Sequence, residues 1–133
     1  MPDDTALALA KFRIEQAREC LRSAELESEE GIYRAAANRS YYCIFHAMRA
    51  VLALEKFDSK KHSGIISAFR KKYIKTKIFP ELLSDYIRDA FDVRSNSDYE
   101  DFFIISKNDI EEQVNNARSF LESIESYISN TNK

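Results

Sequence analysis

Apolar residues in this chain recur at alternating steps of three and four positions through several long stretches. An α-helix turns once in about 3.6 residues, so this spacing places the apolar side chains along one face of a helix. The first stretch begins after Asp3 and Asp4, whose acidic side chains favour a helix start, and Gly31 marks its end. Its apolar positions are Leu7, Ala10, Ile14, Ala17, Leu21 and Ala24.

The same periodicity predicts four further helices. The second covers about residues 33–54, and the third, which is shorter, covers about residues 61–74. Pro80 fits the first turn of the fourth helix, because a proline there loses no hydrogen bond. Ser106 and Asp109 form an S-x-x-D capping signature at the start of the last helix.

Turn-forming residues are scarce in this sequence. Two Gly and two Pro among 133 residues leave few tight turns, which disfavours a sheet of short strands. Long helices joined by short loops pack as antiparallel neighbours. We therefore predict an all-α fold, an antiparallel up-down bundle of four long helices plus one short helix, with residues 1–133 in a single domain.

The cysteines and the apolar runs bear on the compartment. Cys20 and Cys43 lie inside predicted helices and form no CxxC pair, so we expect two buried thiols in a reducing compartment. No early apolar run resembles a signal peptide, because Lys11 and Arg13 interrupt the first candidate. No stretch of about 18 apolar residues could span a membrane. These features predict a cytoplasmic protein with no membrane partner.

Charge is unevenly distributed along the chain. Residues 56–77 carry eight Lys and Arg against one acid, Asp58, which gives this segment a charge of +7. The whole chain has a net charge of −2, so the remainder carries −9. Such a basic segment could bind phosphate or an acidic partner, or it could be a solvated connector.

Several kinds of catalytic site have no signature in the sequence. No Glu-x-x-His or H-E-x-x-H pair, no Gly-rich phosphate loop and no G-x-S-x-G occurs. The two Cys and two His residues are scattered and show no zinc spacing. We therefore expect no metal ion and no cofactor.

The second predicted helix carries an unusual polar group. Arg39, Tyr42 and His46 lie three and four residues apart, so they share one face. An arginine and a histidine beside a packed apolar stripe need partners, because an unpaired buried charge is costly. Either Arg39 pairs with an acid of a neighbouring helix and His46 is a satisfied core histidine, or these residues belong to a site.

A second unusual stretch, Arg94-Ser-Asn-Ser-Asp98-Tyr99, lies near the end of the fourth predicted helix. Arg94 is four residues after Ala90 and seven after Ile87, so it continues the inward stripe. A charge at such a position, followed by small polar residues, indicates either a buried polar network or the lip of a site.

Three motifs in order along the chain carry a family resemblance. They are Arg39-Ser-Tyr-Tyr-Cys-Ile-Phe-His46-Ala, then Lys61-His62-Ser-Gly-Ile followed by Phe69, and then Arg94 followed by Asp98-Tyr99. Together they resemble the HEPN (higher eukaryotes and prokaryotes nucleotide-binding) domain, in particular its small stand-alone prokaryotic, UPF0332-like branch. Helix order and total length match as well, so the resemblance covers essentially the whole chain.

The resemblance implies an up-down helical bundle that forms a homodimer around the motif of the fourth helix. Many HEPN proteins are toxins of toxin–antitoxin pairs and act as metal-independent ribonucleases. They use an arginine followed four to six residues later by a histidine, and two subunits combine their motifs at one cleft. The usual partner is a minimal nucleotidyltransferase, which in some pairs silences the toxin by adding AMP to a tyrosine near the motif.

This chain departs from the family motif at one position. Tyr99 stands five residues after Arg94, where the resemblance implies a histidine, and no histidine follows His62 in the sequence. Tyrosine, with a pKa near 10, is a poor base at pH 7. His46 would supply an imidazole if the second and fourth helices are neighbours.

Candidate site residues follow from the motifs and the resemblance. The candidate catalytic residues are Arg94, Tyr99, His46 and Arg39. The candidate binding residues are Asn96, Asp98, Tyr42, Lys61 and His62. Three functions stay open: a toxin-like HEPN protein paired with a nucleotidyltransferase and acting on RNA, a non-catalytic module that binds a nucleotide or a partner protein, and a structural helical dimer with buried ion pairs.

Overall fold

The computed structural model describes residues 2–131, and it confirms the predicted helical bundle. Every regular element within this range is helical. The four long helices are α1 (Asp4–Glu29), α2 (Tyr33–Ala53), α4 (Glu81–Tyr99) and α5 (Lys107–Thr131). The short helix α3 (His62–Phe69) continues directly into a π-helical turn at Arg70–Ile74.

Local capping fixes several helix ends close to where the sequence predicts them. The Asp3 carboxylate accepts a hydrogen bond from the Ala6 backbone N–H at 2.8 Å, and Gly31, with a φ of +79°, follows the end of α1. Ser106 Oγ accepts from the Asp109 N–H at 3.0 Å. Pro80 lies immediately before α4 instead of inside its first turn, which is a difference of one residue.

Helix α2 lies at the centre of the core and packs against α1, α3, α4 and α5. Its side chains Tyr41, Ile44 and Met48 are fully buried. Phe69 of α3 packs against Phe120 of α5, with ring centroids 5.6 Å apart. These contacts fix the position of α3 against the bundle, and α3 carries one of the two histidines.

The sequence predicts one continuous third helix, whereas the structure contains a π turn in its second half. The Lys75 N–H donates to the Arg70 carbonyl at 2.9 Å, across five residues. A π turn brings residues four and five apart to the same face, so Phe69, Tyr73 and Ile74 are all buried. The 3–4 periodicity of apolar residues does not distinguish this turn from a regular helix.

The two cysteines lie inside helices, as the sequence predicts. Cys20 and Cys43 are both buried, free thiols, and burial raises the pKa of each. Within residues 2–131, no helix combines the length and the apolar character needed to cross a bilayer.

Candidate functional site

Arg94 lies at the contact between α4 and α2, with its side chain only 19% exposed. Its guanidinium carbon sits 5.1 Å from the ring centre of Tyr41 and 5.4 Å from that of Tyr42. Cation–π contacts of this kind hold a guanidinium against aromatic faces while leaving its N–H groups free for an anion. Two consecutive tyrosines of α2 therefore position the arginine.

The carboxylate of Asp98, one helical turn later, is the acid closest to this guanidinium. Its Oδ2 lies 3.3 Å from Arg94 Nε. Nε nevertheless finds no hydrogen-bond acceptor among the described residues, so the contact is an ion pair without hydrogen-bond geometry. The buried Nε is out of reach of a ligand, but the Nη groups of Arg94 donate no hydrogen bond to the described residues and have bonding capacity left for an anion such as phosphate.

His62, at the start of α3, is fixed by two aromatic residues of α2. Its Nδ1 lies 2.8 Å from the Tyr41 hydroxyl oxygen, and its ring stacks on Phe45 with centroids 4.1 Å apart. Burial raises the pKa of Tyr41 to about 12, so its phenol stays protonated. One side chain, Tyr41, thus contacts both Arg94 and His62.

The protonation state of His62 follows from its surroundings. Burial lowers its pKa below the usual 6.5, and the positive charges of Arg94 and Arg49 lower it further. The imidazole is therefore neutral at pH 7. In one tautomer the Tyr41 hydroxyl donates to Nδ1; in the other, Nδ1 donates to the hydroxyl oxygen and Nε2 is free to accept a proton.

His46 lies one turn along α2 from Tyr42, and the two ring centroids are 6.0 Å apart. Its Nδ1 is buried without a hydrogen-bond partner among the described residues. Burial lowers the pKa of His46, and the nearby charges of Arg49 and Arg13 add to this effect. His46 therefore adjoins the site, but Tyr41 joins His62, not His46, to Arg94.

Other candidate residues lie outside the cluster. Arg39 is exposed, and its charge acts on the thiol of Cys20 in α1, lowering that thiol's pKa in opposition to burial. Tyr99 is 79% exposed, because residues five apart on an α-helix project about 140° from each other. Asn96, two residues after Arg94, is half-buried, and Lys61 is an exposed residue immediately before α3.

One positioning residue has no signal in the sequence. Arg34, at the start of α2, reaches the end of α4, where its guanidinium donates to four backbone carbonyls. They belong to Ser97, Glu100, Asp101 and Phe103. The Ser97 carbonyl is an acceptor that the last turn of α4 leaves free, and the other three carbonyls follow the helix, so these bonds hold the segment after Arg94. Only the folded chain brings Arg34 to this position.

Comparison with known proteins identifies the family. The HEPN domain family matches residues 10–127. A Methanocaldococcus jannaschii protein named "Putative toxin MJ0142" is 31% identical over 119 residues, which cover 90% of this chain and 81% of that protein. A "UPF0332 protein" of Thermotoga maritima is 30% identical over 113 residues, covering 85% and 86% of the two chains. Another, from Archaeoglobus fulgidus, is 35% identical over 102 residues, covering 73% and 77%.

These relatives share most of their length with this chain, and the UPF0332 designation in the names of two of them is the branch that the three motifs resemble. The helical bundle and the arginine of α4 are the features that the motifs lead one to expect. The chain therefore belongs to the HEPN domain family.

Proposed function

We propose that this protein is a toxin that cleaves RNA without a metal ion, with Arg94 as the phosphate-binding group and His62 as the general base. The observation that carries the proposal is the position of Tyr41, which contacts Arg94 through its ring at 5.1 Å and His62 through its hydroxyl at 2.8 Å. An anion-binding group and an imidazole that is neutral at pH 7 are thereby held at one place.

The reaction assigns a role to each group. Neutral His62 takes the proton of a ribose 2′-OH, and that oxygen attacks the adjacent phosphorus. The bond from phosphorus to the 5′-oxygen breaks, a 2′,3′-cyclic phosphate forms, the leaving oxygen takes a proton from water, and the proton on His62 passes to solvent. Arg94 stabilises the negative charge that accumulates on the phosphate oxygens. In this proposal, an imidazole from α3 replaces the histidine that is missing from α4.

We also propose that the protein acts as a homodimer through the end of α4 and the loop that follows it. Large apolar side chains are almost fully exposed there, since Phe102 is 95% and Ile104 is 88% accessible. Exposed apolar groups of this size, next to the exposed ring of Tyr99, are typical of protein interfaces. A dimer through this surface would place the α4 segments of two subunits side by side.

Phe102→Asp should convert the dimer into a monomer, because a carboxylate in the centre of an apolar interface is desolvated without a partner. Sedimentation velocity of wild type and variant at equal concentration measures the effect. Phe12→Asp is the matched control, since Phe12 is an exposed phenylalanine on α1. A Phe102→Asp protein that sediments like wild type would exclude this interface.

A toxin needs a neutralising partner, and we propose a minimal nucleotidyltransferase for this role. The name of the Methanocaldococcus relative, "Putative toxin MJ0142", supports the toxin half of such a pair. The exposed hydroxyphenyl group of Tyr99, at the end of α4, is accessible to a modifying enzyme. Attachment of AMP there would put bulk and negative charge close to the proposed dimer surface.

Growth of a bacterial host during induced expression tests the proposed function. Wild type should arrest growth and fragment cellular RNA, whereas Arg94→Ala should do neither, because the phosphate loses its guanidinium. Arg22→Ala, at an exposed arginine of α1, serves as the matched control and should remain toxic. Circular dichroism and the melting temperature of purified Arg94→Ala establish that it folds.

Two outcomes of the growth experiment would contradict the proposal. Toxicity that survives in Arg94→Ala would remove Arg94 from the active group. A wild type that is harmless and leaves RNA intact would favour a non-catalytic module, which a rise in melting temperature with ATP would then reveal.

A further inference from the structure

A groove of about 600 Å³ lies between α3 with its π turn on one side and α4 on the other. Six of the residues that line it are Ser63, Ile66, Arg70, Lys71, Lys75 and Phe91. One end of the groove reaches the candidate site, because Ser63 follows His62 in sequence and the Phe91 ring contacts the Tyr41 ring, with centroids 6.0 Å apart. From there it runs along the π turn.

The basic side chains of the groove differ in whether a neighbouring carboxylate forms an ion pair with them. Arg70, Lys71 and Lys75 form no ion pair with any carboxylate in the described part of the chain. Arg88, on the α4 side, is bound by Asp85 at 3.4 Å and Asp89 at 3.3 Å. The groove therefore presents three cations without an ion pair on the wall formed by the π turn, and one carboxylate, that of Asp92, on the α4 side.

The π turn brings two of these cations together. On a regular α-helix, Arg70 and Lys75 would project about 140° apart, since five residues exceed one turn. The hydrogen bond from Lys75 N to Arg70 O spans five residues, so both side chains reach the same groove. The Arg70 guanidinium is steadied by its Nε, which donates to Ser84 Oγ of α4 at 3.0 Å.

The groove also has an apolar wall. Phe91 is exposed, and Ile66 is half-buried on the opposite side. A line of cations beside an exposed aromatic face is the arrangement by which proteins bind single-stranded nucleic acid, with phosphates on the cations and bases on the ring.

We propose that this groove is the track for a single-stranded RNA segment that leads into the Arg94–His62 site. The phosphates contact Arg70, Lys71 and Lys75, and a base stacks on Phe91. This inference rests on the proposed RNA activity and adds the path by which the strand reaches it. It also assigns a role to part of the basic segment at residues 56–77.

Lys72 provides a matched control within the same turn. Its Nζ lies 5.3 Å from the ring centre of Phe57 and 3.9 Å from Glu55 Oε2, so it points toward the loop after α2 and away from the groove. Lys72→Gln removes the same charge from the same segment without changing the groove wall.

Fluorescence anisotropy with a short labelled RNA, 2′-O-methylated at every ribose so that it cannot be cleaved, measures the binding. The variants are Arg70→Gln/Lys71→Gln/Lys75→Gln and, because Arg70 also bonds Ser84, Lys71→Gln/Lys75→Gln. Each lost phosphate contact should reduce the slope of log K against log salt by about 0.7. At about 0.1 M salt this corresponds to a loss of roughly 100-fold for the triple variant and roughly 25-fold for the double variant.

Lys72→Gln should bind within about twofold of wild type. Equal losses in Lys72→Gln and in the double variant would overturn the groove in favour of diffuse attraction to basic surface. If wild type binds and cuts RNA while the folded double variant keeps full affinity and salt slope, the groove inference is wrong and the proposed function stands. If wild type does not bind the probe, both are wrong. Displacement of the probe by millimolar ATP would assign the groove to a mononucleotide and overturn the track.

Discussion

Replacing His62 by alanine should lower the rate of RNA cleavage by a factor of roughly 10²–10⁴, the usual contribution of a positioned general base. His62 is held by Tyr41 and Phe45 and is neutral at pH 7, so in the wild type it can accept a proton at once. Single-turnover cleavage of a labelled RNA by the purified protein measures the loss.

Two further variants separate chemistry from stability. His62→Ala leaves the buried Tyr41 hydroxyl without its partner, which costs about 1–3 kcal/mol. His62→Gln can bond this hydroxyl through its amide but cannot take up a proton, so it should be as inactive as His62→Ala and more stable. His46→Ala should retain activity within a few-fold of wild type. Activity that disappears with His46 and survives without His62 would reverse the assignment.

The pH dependence of cleavage gives an independent signature of His62. Because its folded-state pKa lies below 6.5, the neutral base persists as the pH falls through 6.5, and the acid limb of the rate profile should lie below this value. The lowered pKa of His62 also affects the stability of the fold. The unfolded chain takes up the proton first, so the free energy of unfolding should decrease as the pH falls below 6.5. An acid limb above 6.5 would contradict this assignment.

Arg34→Ala should reduce the free energy of unfolding by about 1.5 kcal/mol, the low end for hydrogen bonds to a charged group, because it removes four such bonds of which only the one to Ser97 is partly buried. The guanidinium donates to the carbonyls of Ser97 and Phe103, the latter at 3.0 Å, and bridges the end of α4 to the following loop. Urea unfolding followed by circular dichroism measures the change. Hydrogen exchange should show the largest loss of protection at the last turn of α4.

Arg118→Ala is the control for Arg34→Ala. Arg118 also forms a long-range contact, to Glu25 at 2.9 Å, but both side chains are substantially exposed. Exposed ion pairs contribute at most about 1 kcal/mol, so this variant should stay close to wild type. If Arg34→Ala costs no more than Arg118→Ala, the carbonyl contacts do not hold α4 as described.

The helices were predictable because burial selects apolar side chains at helical spacing, and this local pattern survives in the sequence. Ala10, Ala17 and Ala24 mark the buried face of α1 in the sequence and in the structure. The π turn was not predictable, because Phe69 and Tyr73 fit a regular helix as well as they fit a π turn. The hydrogen bond from the Tyr73 hydroxyl to the Val51 carbonyl of α2 is a tertiary contact, and the local sequence pattern carries no sign of it.

The site shows the same division between local and tertiary information. Arg94 could be singled out, since a charge on an apolar stripe is a local anomaly. The association of Arg94 with His62 could not be predicted, because the two residues lie 32 positions apart in sequence. They come together only where α3 packs against α2. Tyr41 is fully buried in α2 and also carries the polar contact that joins them.

Because of the π turn, the proposed RNA track depends on the number of residues in this segment as well as on which basic residues it contains. Shortening the chain by one residue between Phe69 and Pro80 could restore a regular helix, and Arg70 and Lys75 would then diverge although both remained in the sequence. Among HEPN proteins, a count of basic residues would therefore be a poor guide to RNA affinity. The presence of a π turn that puts two basic residues five apart on one face would be the better criterion for choosing which relatives to compare.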